Sequence, residues 1–244
     1  MADERHSAVH LVDRESRRIV VTDEAVTLGF PLNAMPNPLY SGMLNAVDML
    51  DDDVDIFRGI WRSNIMKPTL VTFDRDKPFP VNTATKIVRL TLKDDVIAER
   101  IDDLEGNLLE MFGQPFEDTM DDRISLYRNL YLEETLIDRF RFGIAEMYGD
   151  RSYQNIRKNP RVTLHFSWPT NGSPPWLSYE ISCIAEIVEQ ETPFYRFMRM
   201  MRQIFSREFL ELRDEEYPCA YRLWISDVRE KTLGSQRGFV PRDQ

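Results

Sequence analysis

Cysteine is nearly absent from this sequence: Cys183 and Cys219 stand alone among 244 residues. Two isolated thiols offer neither a disulfide framework nor the paired spacing of a zinc site. Histidine is as scarce, with only His6, His10 and His165. His6 and His10 have the i, i+4 spacing of a helical ligand pair, but nothing completes a coordination set around them, and no metal is expected. Ten glycines leave no P-loop and no G-x-G-x-x-G turn, and no Ser-His-Asp order is present. Those gaps exclude a nucleotide hydrolase of that type, a dinucleotide-binding Rossmann unit and a triad hydrolase. Basic charge is short as well. Lys and Arg number 31 against 41 Asp and Glu, for a net charge of −10. Bulk attraction to nucleic acid or to an anionic membrane is therefore not expected. No apolar run approaches the roughly 18 residues of a spanning helix. The opening "MADERHSAVH" is charged and has no apolar core, so no secretory signal is expected and the cytoplasm is the expected location.

Hydrophobic residues make up 42% of the chain and aromatics 11%, enough for a sizeable core. Residues 8–28 read as two short strands, "AVHLV" and "RRIVVT". The proline-rich "GFPLNAMPNPLY" reads as loop, a helix is expected over about 41–50, and "DDDVDIFRGIWRSNI" reads as a second helix with acids in its first turn. "KPTLVTFDRDKPFPVNTATKIVRLTL" is rich in β-branched residues around a polar turn and reads as a hairpin. Residues 94–135 return to helical texture, broken at Pro115. From residue 140 the order is strand, short helix, strand, loop, strand, helix, strand. Thr192 followed by Pro193 marks the start of the last helix. Short links between antiparallel candidates suit a small β-barrel with peripheral helices.

Four cations, Arg151, Arg157, Lys158 and Arg161, crowd the stretch "YGDRSYQNIRKNPRVTLHFSW". With "ISCIAEIVE" and the 67–92 hairpin, this stretch resembles the pyridoxamine 5′-phosphate oxidase-like FMN-binding split β-barrel family. The resemblance covers about residues 67–92 and 138–230. It implies a mainly β fold with α elements: a split barrel of about six strands over 67–244, with a helical insert at about 94–135. Residues 1–66 would form an N-terminal extension of strands and helices packed on the barrel. It further implies FMN as cofactor, oxidation or reduction of a small organic substrate, and a homodimer with the flavin between two barrels. The positions carried over to cofactor binding are Asn82, Thr83, Lys86, Arg151 and Ser152; no catalytic residue is assigned. Two family cations are replaced, by Val81 and Ser152. Alternatives that stay open are a non-catalytic barrel binding haem or another ligand, and use of the deazaflavin F420.

Blander readings stand beside these. Arg157, Lys158 and Arg161 read as a solvated helix end, since helix C-termini favour cations. His165 reads as a cross-strand residue. Trp168 and Trp176 read as packing at a barrel mouth. The stripe Phe194, Phe197, Met198, Met201 and Phe205 reads as core or dimer contact.

Overall fold

The computed structural model describes residues 9–23, 26–48, 64–170, 174–205 and 217–232. A three-stranded antiparallel sheet comes first: β1 (Val9–Asp13), β2 (Arg18–Asp23) and β3 (Val26–Pro31). Helix α1 (Asn37–Asp48) follows. A second sheet contains β4 (Thr69–Phe73), β5 (Val81–Thr85), β6 (Arg89–Leu92), β7 (Ile137–Glu146), β8 (Arg161–Pro169), β9 (Trp176–Val188) and β10 (Cys219–Glu230). Four helices interleave with it: α2 (Asp94–Phe112), α3 (Met120–Asn129), α4 (Arg151–Lys158) and α5 (Pro193–Gln203).

The seven strands run in the order β5-β4-β8-β9-β10-β7-β6, all antiparallel. The two outermost strands are consecutive in the chain, separated only by residues 86–88. Laid flat, seven strands would put their edges roughly 29 Å apart, at about 4.8 Å per step. Three linking residues reach at most about 14 Å. The sheet must therefore curl until its edges nearly meet. The linker stays laddered as it turns, with Lys86 N donating to Pro68 O at 3.2 Å and Val88 N to Met66 O at 3.0 Å. β5 and β6 act as one bent strand, and six strand passes make a split β-barrel, as expected. Leu70, Phe142, Leu164, Phe166, Ile181 and Leu223 fill its core and are fully buried.

The insert between β6 and β7 is the expected helical one, α2 and α3, interrupted around Pro115. Arg141 ties it to the barrel, donating to Asp94 Oδ2 at 2.8 Å, Thr91 Oγ1 at 3.0 Å and Leu92 O at 2.8 Å. α5 starts where Thr192 and Pro193 place it, with Thr192 Oγ1 accepting from Tyr195 N. Its Phe/Met stripe is buried against α2, β7 and β10 of its own chain. Gly143 permits that approach, since a side chain there would strike Thr91 Cγ2 at 2.6 Å and the Met198 thioether. Of the two readings of the stripe, core is correct, and a dimer draws no support from it.

The N-terminal region departs from expectation twice. β3 falls partly in the segment read as loop: it pairs with β2 in full register even though Gly29 and Pro31 dilute its strand signal. α1 begins at Asn37 instead of near 41, because Pro38 lies in the first turn, where its missing N–H is no loss. Ile19 and Val21 of the sheet, with Leu32 just after it, pack on Ile184 and Trp224 of the barrel. The helix expected over 51–65 lies largely outside the described residues; Asn64–Met66 form a short 3-10 turn.

Candidate functional site

Three of the five expected cofactor residues meet where α4 crosses the β4–β5 hairpin. Gly149, at φ 65°, turns the chain into α4; Asp150 precedes the helix in extended backbone and makes no side-chain bond to its first turn. Asn82 Nδ2 donates to Ser152 Oγ at 3.1 Å and to Thr72 Oγ1 at 3.3 Å. Asn155 Nδ2 donates to the same Thr72 oxygen at 3.0 Å. Arg151 is exposed, and its Nη2 donates to Phe79 O at 2.6 Å. At the other helix end Lys158 Nζ meets Asp74 Oδ2 at 3.0 Å and Asp76 Oδ2 at 3.6 Å. The hydrogen bond from Lys158 holds the Asp74 carboxyl below its ordinary range and raises Lys158 in turn. Lys158 is thus more than a solvated cation: it pins the turn of the hairpin, as Arg151 pins its return.

Thr83 and Lys86 go elsewhere. On β5 the exposed residues are Val81, Thr83 and Thr85, alternating with Asn82 and Ala84, so Thr83 lies on the face opposite Asn82. β5 pairs with β4 alone among the described residues, leaving its outer edge open. Lys86, just beyond, donates to Glu146 Oε2 at 2.7 Å. Tyr221 Oη donates to the same oxygen at 3.1 Å, and Tyr148 N to Glu146 Oε1 at 3.2 Å. The Glu146 carboxylate is buried and holds Lys86 in one place.

That place is the wall of a cavity of about 370 Å³. Lys67, Lys86, Arg89 and Arg202 line it together with Ile87, Met147 and Met198, and among the described residues no carboxylate lines it. Arg89 is only 6% exposed. Its Nη1 donates weakly to Val88 O at 3.3 Å and approaches Met66 Sδ at 3.6 Å, while its buried Nε has no acceptor. Among the described residues no carboxylate lies within ion-pair distance of it. Burial, and after it the Arg89 charge, pull the Lys67 ammonium down to about 8. In a chain of net charge −10 this is a small cationic chamber with apolar walls. Thr85, on the same β5 face as Thr83, also lines it.

Sequence reasoning found Lys86 and missed Lys67, Arg89 and Arg202. Arg89 did carry a signal: it sits between Val88 and Leu90 in a strand buried along its whole length, with no solvent face for a charge. Lys67 and Arg202 carried none, because barrel closure and α5 packing bring them there. The remaining flagged residues take their plainer readings. His165 Nε2 lies 3.1 Å from Ser178 Oγ across the β8–β9 pair, and Trp168 stacks on Tyr179 at 5.9 Å. Among the described residues no group of three or more His, Cys, Asp or Glu could hold a metal, and no helix is long and apolar enough to cross a membrane.

No family model and no curated protein matches the chain. Solved structures do. An FMN-binding protein from Syntrophomonas wolfei matches 80% of this chain and 92% of its own, at 10% identity and TM-score 0.38. HupZ of Group A Streptococcus matches 73% and 91%, at 12% identity and TM-score 0.38. The haem storage protein HutZ of Vibrio cholerae matches 68% and 87%, at 9% identity and TM-score 0.35. The split-barrel fold rests on the chain's own strand order and closure. Scores of this size leave ligand and chemistry to be argued from the chain's own residues.

Proposed function

We propose that this chain binds a phosphate-bearing flavin, FMN, and uses it to oxidise or reduce a small organic substrate. One observation carries the reading: among the described residues the chamber is lined by four cations and no carboxylate, with Arg89 buried in its wall and no counter-ion within ion-pair distance. A buried charge without a counter-ion costs on the order of several kcal/mol. A phosphate monoester, close to two negative charges at neutral pH, offsets that cost and gives Arg89 an acceptor, with the Lys67 and Arg202 charges beside it. Met147, Met198 and Ile87 suit the apolar part of such a ligand. The open edge and outer face of β5, with Thr83 and Thr85, offer polar groups to the rim of a flavin ring. Arg151 and Ser152 sit beside a helix N-terminus that favours anions, but Asp150 precedes it directly and the Arg151 guanidinium already donates to Phe79 O. The chamber is the better phosphate site, and α4 is the element that fixes the hairpin beside it.

When bound, the flavin supplies the redox chemistry; the chain's part is to hold its phosphate and orient its ring. No protein nucleophile is required. F420 is also a phosphate-bearing flavin analogue and would meet the same donors. Haem would find no described histidine there, since neither His10 nor His165 lines the chamber, and Tyr148, Met147 and Met198 would be its candidate axial ligands. A homodimer belongs to the same proposal. Phe73, Phe79 and Val81 are exposed on the hairpin beside Thr83, an apolar surface that a second copy would cover.

The test is the visible spectrum of the purified protein, before and after exposure to FMN, F420 and haem in turn. Retained FMN, with bleaching on addition of a reductant, is the expected result. A colourless protein that takes up none of the three contradicts the proposal, and uptake of haem alone moves it to the ligand-binding alternative.

A further inference from the structure

The register that sets Thr69 opposite Thr85 continues beyond the ends of β4 and β5. Lys86 N donates to Pro68 O at 3.2 Å and Val88 N to Met66 O at 3.0 Å, which leaves Lys67 directly opposite Ile87. That is a non-hydrogen-bonded pair, the kind whose side chains approach most closely. Arg89, two residues past Ile87, is the diagonal neighbour of Lys67, a separation that long side chains span. Lys67, Ile87 and Arg89 accordingly line one cavity, with Lys86 and Arg202 as its other cations. Lys86 already has Glu146 at 2.7 Å. Arg89 is 6% exposed, and among the described residues its Nε has no acceptor and no carboxylate lines the cavity.

Lys67 differs from a surface lysine in two ways. It is half-buried beside an apolar lining of Ile87, Met147 and Met198, and it has a guanidinium for a neighbour. Both disfavour the ammonium, and its pKa falls to about 8, the range of an α-amino group. At neutral pH about a tenth of it is neutral amine, against less than about one part in a thousand for an ordinary lysine. A neutral amine is a nucleophile. The surrounding charge then selects the product. A reaction that turns this amine into an anion relieves its repulsion from Arg89 and gives the buried guanidinium a counter-ion. Addition of carbon dioxide is such a reaction. The Lys67 Nζ lone pair forms an N–C bond, one C=O π pair passes to oxygen, and an N–H proton leaves to solvent. The carbamate is planar, like the carboxylates that a guanidinium binds through paired N–H groups.

We infer that Lys67 is a carbamylation site: carbon dioxide adds to its Nζ, and Arg89 holds the resulting carbamate with the Lys86 and Arg202 charges beside it. This does not rest on the flavin reading, since it needs the chamber and no cofactor. The test uses the full chain, freed of any bound flavin, in phosphate-free buffer at low salt and about pH 8. Isotopically labelled carbon dioxide and bicarbonate are added, carbamates are trapped by O-ethylation with a trialkyloxonium salt, and the sites are mapped by mass spectrometry. An unstructured peptide with an α-amino group and one lysine, in the same sample, shows that trapping works and what a solvated lysine takes up. Label on Lys67 at least about tenfold above the peptide's lysine is expected, falling about tenfold or more in Arg89→Gln. The wild-type map decides the matter without the variant. No label on Lys67 while the peptide's α-amino group is labelled overturns the inference, and so does label spread evenly over all lysines. Uptake undiminished by Arg89→Gln overturns it as well. Any of these failures leaves flavin retention, read from the visible spectrum, untouched.

Discussion

A lysine ammonium withdrawn from water, with a second cation beside it, is harder to keep charged, and Lys67 is such a group. Its value in the fold is about 8, against 10.5 for a free lysine, so the fold disfavours its charged form. From about pH 8 to 10.5 the unfolded chain holds more protons on this group than the native one does. The Lys67 penalty is fully present below pH 8 and is relieved as pH rises through that window. Bound phosphate would restore the proton. FMN affinity is therefore expected to fall as pH rises above about 8 in the wild type and to stay flatter in Lys67→Met, measured by flavin fluorescence quenching. A second prediction at this scale concerns Glu146, which fixes Lys86 at 2.7 Å. Glu146→Gln leaves a largely buried ammonium without its counter-ion and should cost about 3 kcal/mol by urea denaturation. An unchanged midpoint would remove Glu146 from the account of how Lys86 is held.

Elements whose pattern is local were legible in the sequence; elements decided by distant partners were not. β4, β8 and β9 announce themselves by β-branched residues between turn signals, and α5 by Thr192, Pro193 and its apolar stripe. β3 and the true start of α1 were hidden by Gly29, Pro31 and Pro38, residues whose usual meaning is a break. The role of α4 was half visible. Its cations were plain in the sequence, but their partners Phe79 O and Asp74 lie across a hairpin more than 70 residues earlier. The Asn82–Ser152–Thr72–Asn155 network makes α4 and the hairpin one unit. Asn82→Ala and Ser152→Ala should each cost about 1 kcal/mol. The double variant should cost clearly less than their sum, because both remove the same bond. Additive losses would mean that the 3.1 Å contact contributes nothing.

At the scale of the whole molecule, closure of the barrel creates the candidate site. Lys67 precedes β4, Arg89 opens β6, Lys86 links the two edges and Arg202 comes from α5, so no local window contains the set. Lys86 was within reach of sequence reasoning through resemblance, and Arg89 through its place between Val88 and Leu90; Lys67 and Arg202 were not. The central claim is that this assembled chamber recognises a flavin through its phosphate. Comparing dissociation constants for FMN and riboflavin tests that most directly, because the two ligands share a ring and differ only in the phosphate. The account predicts that riboflavin binds at least about tenfold more weakly, the least expected for losing charge-assisted hydrogen bonds of about 1.5–3 kcal/mol each. It also predicts that Arg89→Gln narrows the gap while Arg151→Ala leaves most of it. Equal affinity for the two flavins, or a preference for FMN that survives Arg89→Gln and vanishes with Arg151→Ala, would contradict it.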